Sequence, residues 1–150
     1  MKPQRIQRRR TKGWRMSPGT VYVGRPSIWG NPFDMQRWGR GLAVQLYKET
    51  VSGGWNPSRF LSLSDTDFHE ALAIRDSWLK MFRAKVNTTP KDYARVLAGH
   101  NLACWCPIYD KSNTRSPCHA DILLQIANGW PDDEACRLLT SHRKEMQQVS

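Results

Sequence analysis

A strand, a polar loop and a capped helix follow one another within residues 102–128, and this unit constrains the fold more than any other stretch of the chain. Residues 102–106 are apolar and uncharged, which is typical of a buried parallel strand. Ser116 can cap the helix that follows, because Pro117 would occupy its first position and Gly129 comes directly after its end. A strand that leads into such a helix is half of a parallel α/β unit.

The rest of the chain has the alternating pattern of a small α/β domain. The side chains of residues 20–23 alternate between two faces, as those of a strand do. Apolar residues recur at helical spacing within 41–51, within 65–85 and after Thr89 and Pro90. We therefore predict a single α/β domain, three-layer or Rossmann-like, with a mostly parallel sheet and about five helices. The predicted regions are a basic N-terminal arm at 1–16, the α/β domain at 17–129 and a helical extension at 130–150.

The length and composition fit a globular protein without a membrane span. The chain of 150 residues is long enough to bury one core, and seven Trp argue against disorder. It has no apolar run of about 18 residues, and its basic beginning lacks the apolar core of a signal peptide. We expect a cytoplasmic protein with no membrane partner, in which the four cysteines are reduced rather than paired.

Positive charge is concentrated at the beginning of the chain. Seven of the 23 Lys and Arg residues fall within residues 1–16, where there is no acidic residue, and the net charge of the whole chain is +10. Such a run favours contact with the phosphates of a nucleotide or a nucleic acid, and a solvated tail is the alternative. The residues predicted to contact phosphate are Arg8, Arg9, Arg10 and Arg15.

Residues 24–33, with the sequence GRPSIWGNPF, form a second candidate region. Two Gly and two Pro exclude a helix, and they favour a loop of fixed shape that a ligand can approach closely. The loop offers a guanidinium, a hydroxyl, a flat aromatic surface and an amide, which suit a phosphorylated nucleotide or sugar. The predicted ligand-binding residues are Arg25, Ser27, Trp29, Gly30 and Asn31. The alternative is a tight structural loop in which Trp29 fills the core.

A cysteine–histidine group lies around the predicted strand–helix unit. Cys104 and Cys106 are on the strand, while Cys118 and His119 begin the helix. A helix N-terminus lowers the pKa of a thiol and attracts anions, so we predict Cys118 as a nucleophile and His119 as an acid–base group. The same site would include Cys106 and Asp121, which lies in the first helical turn. Alternatively the cysteines are small core residues, and His119 is a hydrogen-bonded core histidine on the apolar face of the helix.

A zinc site is a further alternative for this group. The residue types suit zinc, but the spacings C-x-C and C-H do not match the usual ligand pairs. Neighbouring residues on a helix also point about 100° apart, which hinders Cys118 and His119 from binding one ion. The sequence therefore assigns no cofactor.

Three stretches of the chain carry a resemblance to known proteins: VYVGRPSIWGNPF at 21–33, LACWCP at 102–107 and PCHADILLQIAN at 117–128. With them the chain resembles, over roughly residues 5–128, a family of phage, viral and bacterial proteins known only as a domain of unknown function. It implies a small α/β fold, a phage origin, and therefore the host cytoplasm, but no particular reaction. The loop between Cys106 and Cys118 is longer than in the compact form of the family, and the tail is additional. The shared site that it implies comprises Arg25, Trp29, Gly30, Asn31, Cys106, Cys118, His119 and Asp121.

These observations lead to three functional hypotheses. The first is a protein that binds, and in an enzymatic version processes, a phosphorylated nucleotide, a nucleotide-sugar or a nucleic-acid end. The second is a non-catalytic basic module that binds nucleic acid and whose cysteines are structural or bind zinc. The third is a phage protein that captures a host signalling nucleotide.

Overall fold

The chain folds as a small α/β domain around a parallel sheet, which confirms the predicted fold class. The computed structural model describes residues 2–55, 60 and 63–131. Within them lie three strands and five α-helices, and a 3₁₀ turn at Ala94–Leu97 follows the fourth helix. The elements are β1 (Arg5–Gln7), β2 (Val21–Tyr22), α1 (Met35–Trp38), α2 (Arg40–Ser52), α3 (Asp65–Val86), α4 (Pro90–Tyr93), β3 (Leu102–Cys104) and α5 (His119–Asn128).

The three strands are parallel and have the order β1-β3-β2. Leu102 of β3 is opposite Arg5 on one side and Val21 on the other. The central strand β3 is buried throughout, as its uncharged sequence predicts. Because all three strands run the same way, their carboxyl ends meet at one edge of the sheet, where ligands of open α/β sheets usually bind.

Side-chain caps begin both α3 and α4, and the cap of α4 is the one that the sequence predicts. Ser64 Oγ accepts a hydrogen bond from the Asp67 backbone at 3.1 Å, and α3 ends at Asn87 in the left-handed conformation. Thr89 Oγ1 accepts from the Asp92 backbone at 3.2 Å, so that the cap and Pro90 start α4 together.

The start of α5 differs from the prediction by two residues. The predicted cap, Ser116, is instead tied to the preceding loop, because its backbone N–H donates to the Ile108 carbonyl at 2.9 Å. Cys118 is the residue that caps α5, with an extended backbone at φ −145°. Its N–H donates to Asp121 Oδ2 at 3.0 Å, and this side chain replaces the intrahelical partner that the first turn lacks.

The basic arm is partly built into the domain. Strand β1 falls inside residues 1–16 and pairs with β3, so this part of the predicted arm is an edge strand. The predicted C-terminal helix lies almost entirely at 132–150, outside the described residues. Among the described helices, none combines the length and the apolarity that crossing a bilayer demands.

Candidate functional site

A cleft of about 280 Å³ opens at the carboxyl edge of the sheet, and we call it the edge cleft. The loop after β2, the end of β3 and the start of α5 all contribute to its walls. Of the residues that the sequence predicts for the site, Arg25, Asn31, Cys106 and His119 line it. The two motif regions, far apart in the chain, therefore meet at one cavity. Its other lining residues are Gly24, Phe33, Asp34, Met35, Cys104 and Trp105.

Three cysteines, Cys104, Cys106 and Cys118, form a thiol cluster beside this cleft. Their Sγ atoms all lie within 4.8 Å of one another, and Cys104 Sγ is 3.2 Å from Cys118 Sγ. All three are free thiols. Three sulfur atoms at this spacing are close enough to bind one metal ion.

A short hairpin within the long loop between Cys106 and Cys118 allows these two cysteines to lie close together. Asp110 donates its backbone N–H to the Thr114 carbonyl at 2.8 Å, and Asn113 supplies the turn with φ 59°. Tyr109 and Arg115 form an antiparallel bridge across it. The extra residues therefore fold back on themselves and return the chain next to β3.

His119 is a buried residue that is fixed on both sides of its ring. Nε2 lies 2.8 Å from the Val23 carbonyl and Nδ1 lies 3.3 Å from Cys118 Sγ, while Tyr47 packs edge-on at 5.2 Å between centroids. Burial is the largest single effect on the pKa of His119 and lowers it, but the charge of Cys118 and the hydrogen bonds with Cys118 and the Val23 carbonyl together raise that pKa above its usual value. The ring is thus both the core histidine of one interpretation and part of the cleft wall.

Cys118 is the sulfur in the cluster that carries negative charge most readily. Burial opposes ionisation, yet hydrogen bonds from Cys104 and Cys106 and the charge of His119 lower its pKa well below the usual value. The pKa of Cys104, by contrast, is raised by the hydrogen bonds of Cys104 with Cys106 and Cys118 and by burial. The Cys118 side chain is 0% exposed and lies behind the cleft wall, so a substrate in the edge cleft meets Cys106 and His119 first.

The glycine–proline loop places Arg25 and Asn31 at the cleft and buries Trp29 in the core. Arg25 is exposed, and its Nε donates to the Asn31 carbonyl at 2.9 Å. Trp29 is only 4% exposed and stacks on Tyr93 at 5.7 Å between centroids, so its ring belongs to the core and not to a ligand. The Asn31 amide is also engaged, since it donates to the Ala43 carbonyl at 3.2 Å and accepts from the Phe33 backbone at 2.9 Å.

Two residues of the same loop have structural positions. Gly30 packs so tightly that a Cβ there would stand 2.9 Å from Arg25 Cγ, which explains why this position needs glycine. The Ser27 backbone closes a turn by donating to the Gly24 carbonyl at 2.9 Å, and Ser27 is not among the residues that line the edge cleft.

Trp105 is a site residue that the sequence argument missed. It follows β3, is 39% exposed and lines the edge cleft. The guanidinium groups of Arg8 and Arg10 lie over its ring at 4.9 and 4.8 Å from the centroid. The signal in the sequence was its position between Cys104 and Cys106, where strand alternation turns its side chain away from the face that the two cysteines share. Arg9 and Arg15, the other predicted phosphate contacts, are exposed on the arm.

Asp121 lies outside the edge cleft and joins a buried ion pair instead. Arg5 Nη1 is 3.3 Å from Asp121 Oδ2, and the Arg5 side chain is 0% exposed. Arg115 Nη2 donates to Asp121 Oδ1 at 3.1 Å. Burial raises the pKa of Asp121, and the charges of Arg5 and Arg115 partly offset this. This pair joins residues 116 positions apart, so no local pattern predicts it beyond a basic residue in the arm and an acid in the first helical turn.

The fold and the site define a small α/β domain with a thiol–imidazole cluster at the carboxyl edge of its parallel sheet. Residues 6–129 match the family described as a domain of unknown function, DUF4326, and the chain belongs to that family. No curated protein and no solved structure matches the chain.

Proposed function

We propose that this protein binds a phosphorylated nucleotide, or the phosphorylated end of a nucleic acid, in the edge cleft. The observation that supports this most is the joint presence of Arg25, Trp105 and His119 in one cavity at the carboxyl edge of a parallel sheet. A guanidinium binds phosphate, an exposed indole stacks on a base, and an imidazole can accept or donate a proton.

The dimensions and charge of the cleft favour a single nucleotide. The cavity of about 280 Å³ is slightly smaller than most ligand sites, which measure roughly 300–1,000 Å³, so its volume suits one nucleotide better than several. Arg8 and Arg10 add positive charge at the rim where they lie over Trp105. Processing of the ligand would fall to His119 and Cys106, because these groups face the cavity.

The first experiment is native mass spectrometry of the freshly purified protein, followed by calorimetric titration with nucleoside mono-, di- and triphosphates, nucleotide-sugars and inorganic phosphate. Arg25→Ala should weaken binding of a nucleoside phosphate by about 10–100-fold, the value of a hydrogen bond to a charged group. Trp105→Ala should weaken the binding of nucleotides but not the binding of inorganic phosphate, because phosphate has no base to stack on the indole.

Arg83→Ala is the matched control, because Arg83 is an exposed residue on α3 and its loss changes the net charge equally. It should leave affinity unchanged. Equal effects of Arg25→Ala and Arg83→Ala, or no binding by any phosphorylated nucleotide, would show that the edge cleft is not the site. Tight binding without turnover would favour capture of a signalling nucleotide, such as one from a host cell if the protein is of phage origin.

A second candidate function is a basic nucleic-acid-binding module in which the cysteines are structural or bind zinc. The basic and aromatic surface made by Arg8, Arg10 and Trp105 favours it. It predicts that oligonucleotide affinity falls steeply with salt and that Arg8→Ala reduces the slope by about one. In that case Arg25→Ala would have little effect.

A further inference from the structure

We propose that Cys104, Cys106 and Cys118 bind one divalent metal ion of the zinc class, and that its fourth coordination position opens into the edge cleft. This inference goes beyond nucleotide binding and does not depend on it. It predicts a metal centre in a chain whose ligand spacing resembles no common zinc motif.

The positions of the sulfur atoms fit one ion. A tetrahedral zinc with Zn–S bonds of about 2.3 Å places its sulfur ligands about 3.8 Å apart. The three Sγ atoms already lie within 4.8 Å of one another, and the short Cys104–Cys118 separation of 3.2 Å needs to open by only about 0.6 Å.

Charge around the thiol cluster also fits a metal thiolate. Three thiolates and one divalent cation carry a net charge of −1, which is costly in a buried site without a counter-charge. Arg5 supplies one, since its guanidinium is fully buried and interacts with Cys118. Its Nε atom has no hydrogen-bond partner among the described residues, which leaves it free for a sulfur of the centre.

The fourth position would be filled by water or a cleft ligand. Cys104 and Cys106 line the edge cleft, so an ion bound to them has one side towards it. His119 is close, but its Nε2 is held by the Val23 carbonyl and its Nδ1 is directed at Cys118 Sγ. It is therefore a positioning residue, and three protein ligands with one exchangeable position is the pattern of catalytic zinc sites.

Binding is a simple exchange of protons for metal. Each thiol that is still protonated loses its proton to solvent as its sulfur–metal bond forms, and no oxidant or reductant takes part. Soft thiolate ligands select zinc over calcium or magnesium.

The test is native mass spectrometry of the full chain, purified with reductant and supplied with zinc chloride alone. One zinc per chain is expected. Cys106→Ser should abolish stoichiometric binding at equal concentrations, and since Cys106 is only partly buried this variant should still fold, which circular dichroism verifies. Cys136→Ser is the control, because Cys136 is not one of the three proposed ligands and its replacement should leave one zinc bound. His119→Gln should weaken affinity by about 10–100-fold without abolishing binding.

Cobalt substitution tests the geometry independently. Co²⁺ should give the intense sulfur-to-cobalt absorption of a tetrahedral thiolate site, and added imidazole should shift its visible bands if the fourth position is open. No metal uptake by the reduced protein, or equal loss in Cys106→Ser and Cys136→Ser, would overturn the proposal. A Cys104–Cys118 disulfide that persists in reductant would overturn it too, and an unshifted cobalt spectrum would overturn the open position. None of these readouts involves a nucleotide, so failure of nucleotide binding leaves them unaffected.

Discussion

The buried ion pair between Arg5 and Asp121 provides the sharpest test of how this fold is held together. Arg5 donates to the Ser116 carbonyl at 2.7 Å and to the Pro107 carbonyl at 3.3 Å, while it faces Asp121. It thereby ties β1 to the hairpin and to the first turn of α5. Asp121→Asn is the best perturbation, because an amide oxygen can still accept from the Cys118 backbone whereas the charge is lost.

The expected cost follows from the burial of the two side chains. Their exposed fractions are 0% for Arg5 and 9% for Asp121, so removal of the carboxylate leaves a guanidinium in the interior without its closest counter-ion. Breaking a buried pair in this way costs about 3–5 kcal/mol. In a domain of this size each kcal/mol lowers the melting temperature by about 2–4 °C, so we expect a decrease of roughly 6–20 °C.

Urea unfolding, followed by circular dichroism and tryptophan fluorescence, measures the change in free energy. Asp76→Asn is the control, because Asp76 pairs with Arg75 at 2.8 Å on the surface, with 64% of its side chain exposed, and should cost less than about 1 kcal/mol. The double variant Arg5→Met with Asp121→Asn should be more stable than the sum of the single effects implies, because the unpaired charge is gone. If Asp121→Asn unfolds at the same urea concentration as Asp76→Asn, the ion pair between Arg5 and Asp121 does not stabilise the fold more than a surface pair does.

Two further predictions concern residues that pack against side chains of the edge cleft: Tyr47 against His119, and Gly30 against Arg25. Tyr47→Phe should cost about 1–2 kcal/mol at neutral pH, because Tyr47 Oη donates to the Trp29 carbonyl at 2.6 Å. Burial raises the pKa of Tyr47 well above 10.0, so the native state keeps a proton that the unfolded chain loses; wild-type stability should therefore fall as the pH rises above 10, and urea unfolding should show Tyr47→Phe losing less. Gly30→Ala should displace Arg25, whose backbone N would lie 3.2 Å from the new Cβ, and raise nucleotide dissociation constants by about 10-fold in calorimetry. Gly54→Ala, whose new Cβ meets nothing closer than 3.7 Å, should do neither.

The elements of the fold were predictable where local chemistry decides them. Thr89 and Pro90 start a helix, and the apolar run at 102–104 forms the central strand, because caps, proline geometry and burial act within a few residues. The start of α5 was predicted two residues early, since Ser116 is held by a hairpin that no local pattern reveals.

The site was predictable in place but less so in the role of each residue. Both motifs follow parallel strands, so their meeting at one edge follows from topology. Residue type alone does not decide the role of Trp29 or Asn31, because an aromatic ring and an amide serve a core as well as a ligand. Trp29 is buried, whereas Asn31 bonds the backbone and also lines the edge cleft. The spacing of Cys118 and His119 is unfavourable for zinc only if Cys118 lies inside the helix. In the structure Cys118 is the helix cap, and its extended backbone allows its thiol to lie 3.2 Å from that of Cys104.

One arginine links the stability of the domain to the geometry of the candidate site. Arg5 lies in β1, and Arg8 follows three residues later, where its backbone N–H donates to the Cys104 carbonyl at 2.7 Å. The strand that Arg5 holds in the sheet is therefore the strand that brings Arg8 to Trp105. Loss of the ion pair should loosen the rim of the edge cleft before it unfolds the core, because β1 is an edge strand with one paired neighbour. Hydrogen exchange in Asp121→Asn should accordingly increase first at β1, and an increase that begins in α3 would contradict this order.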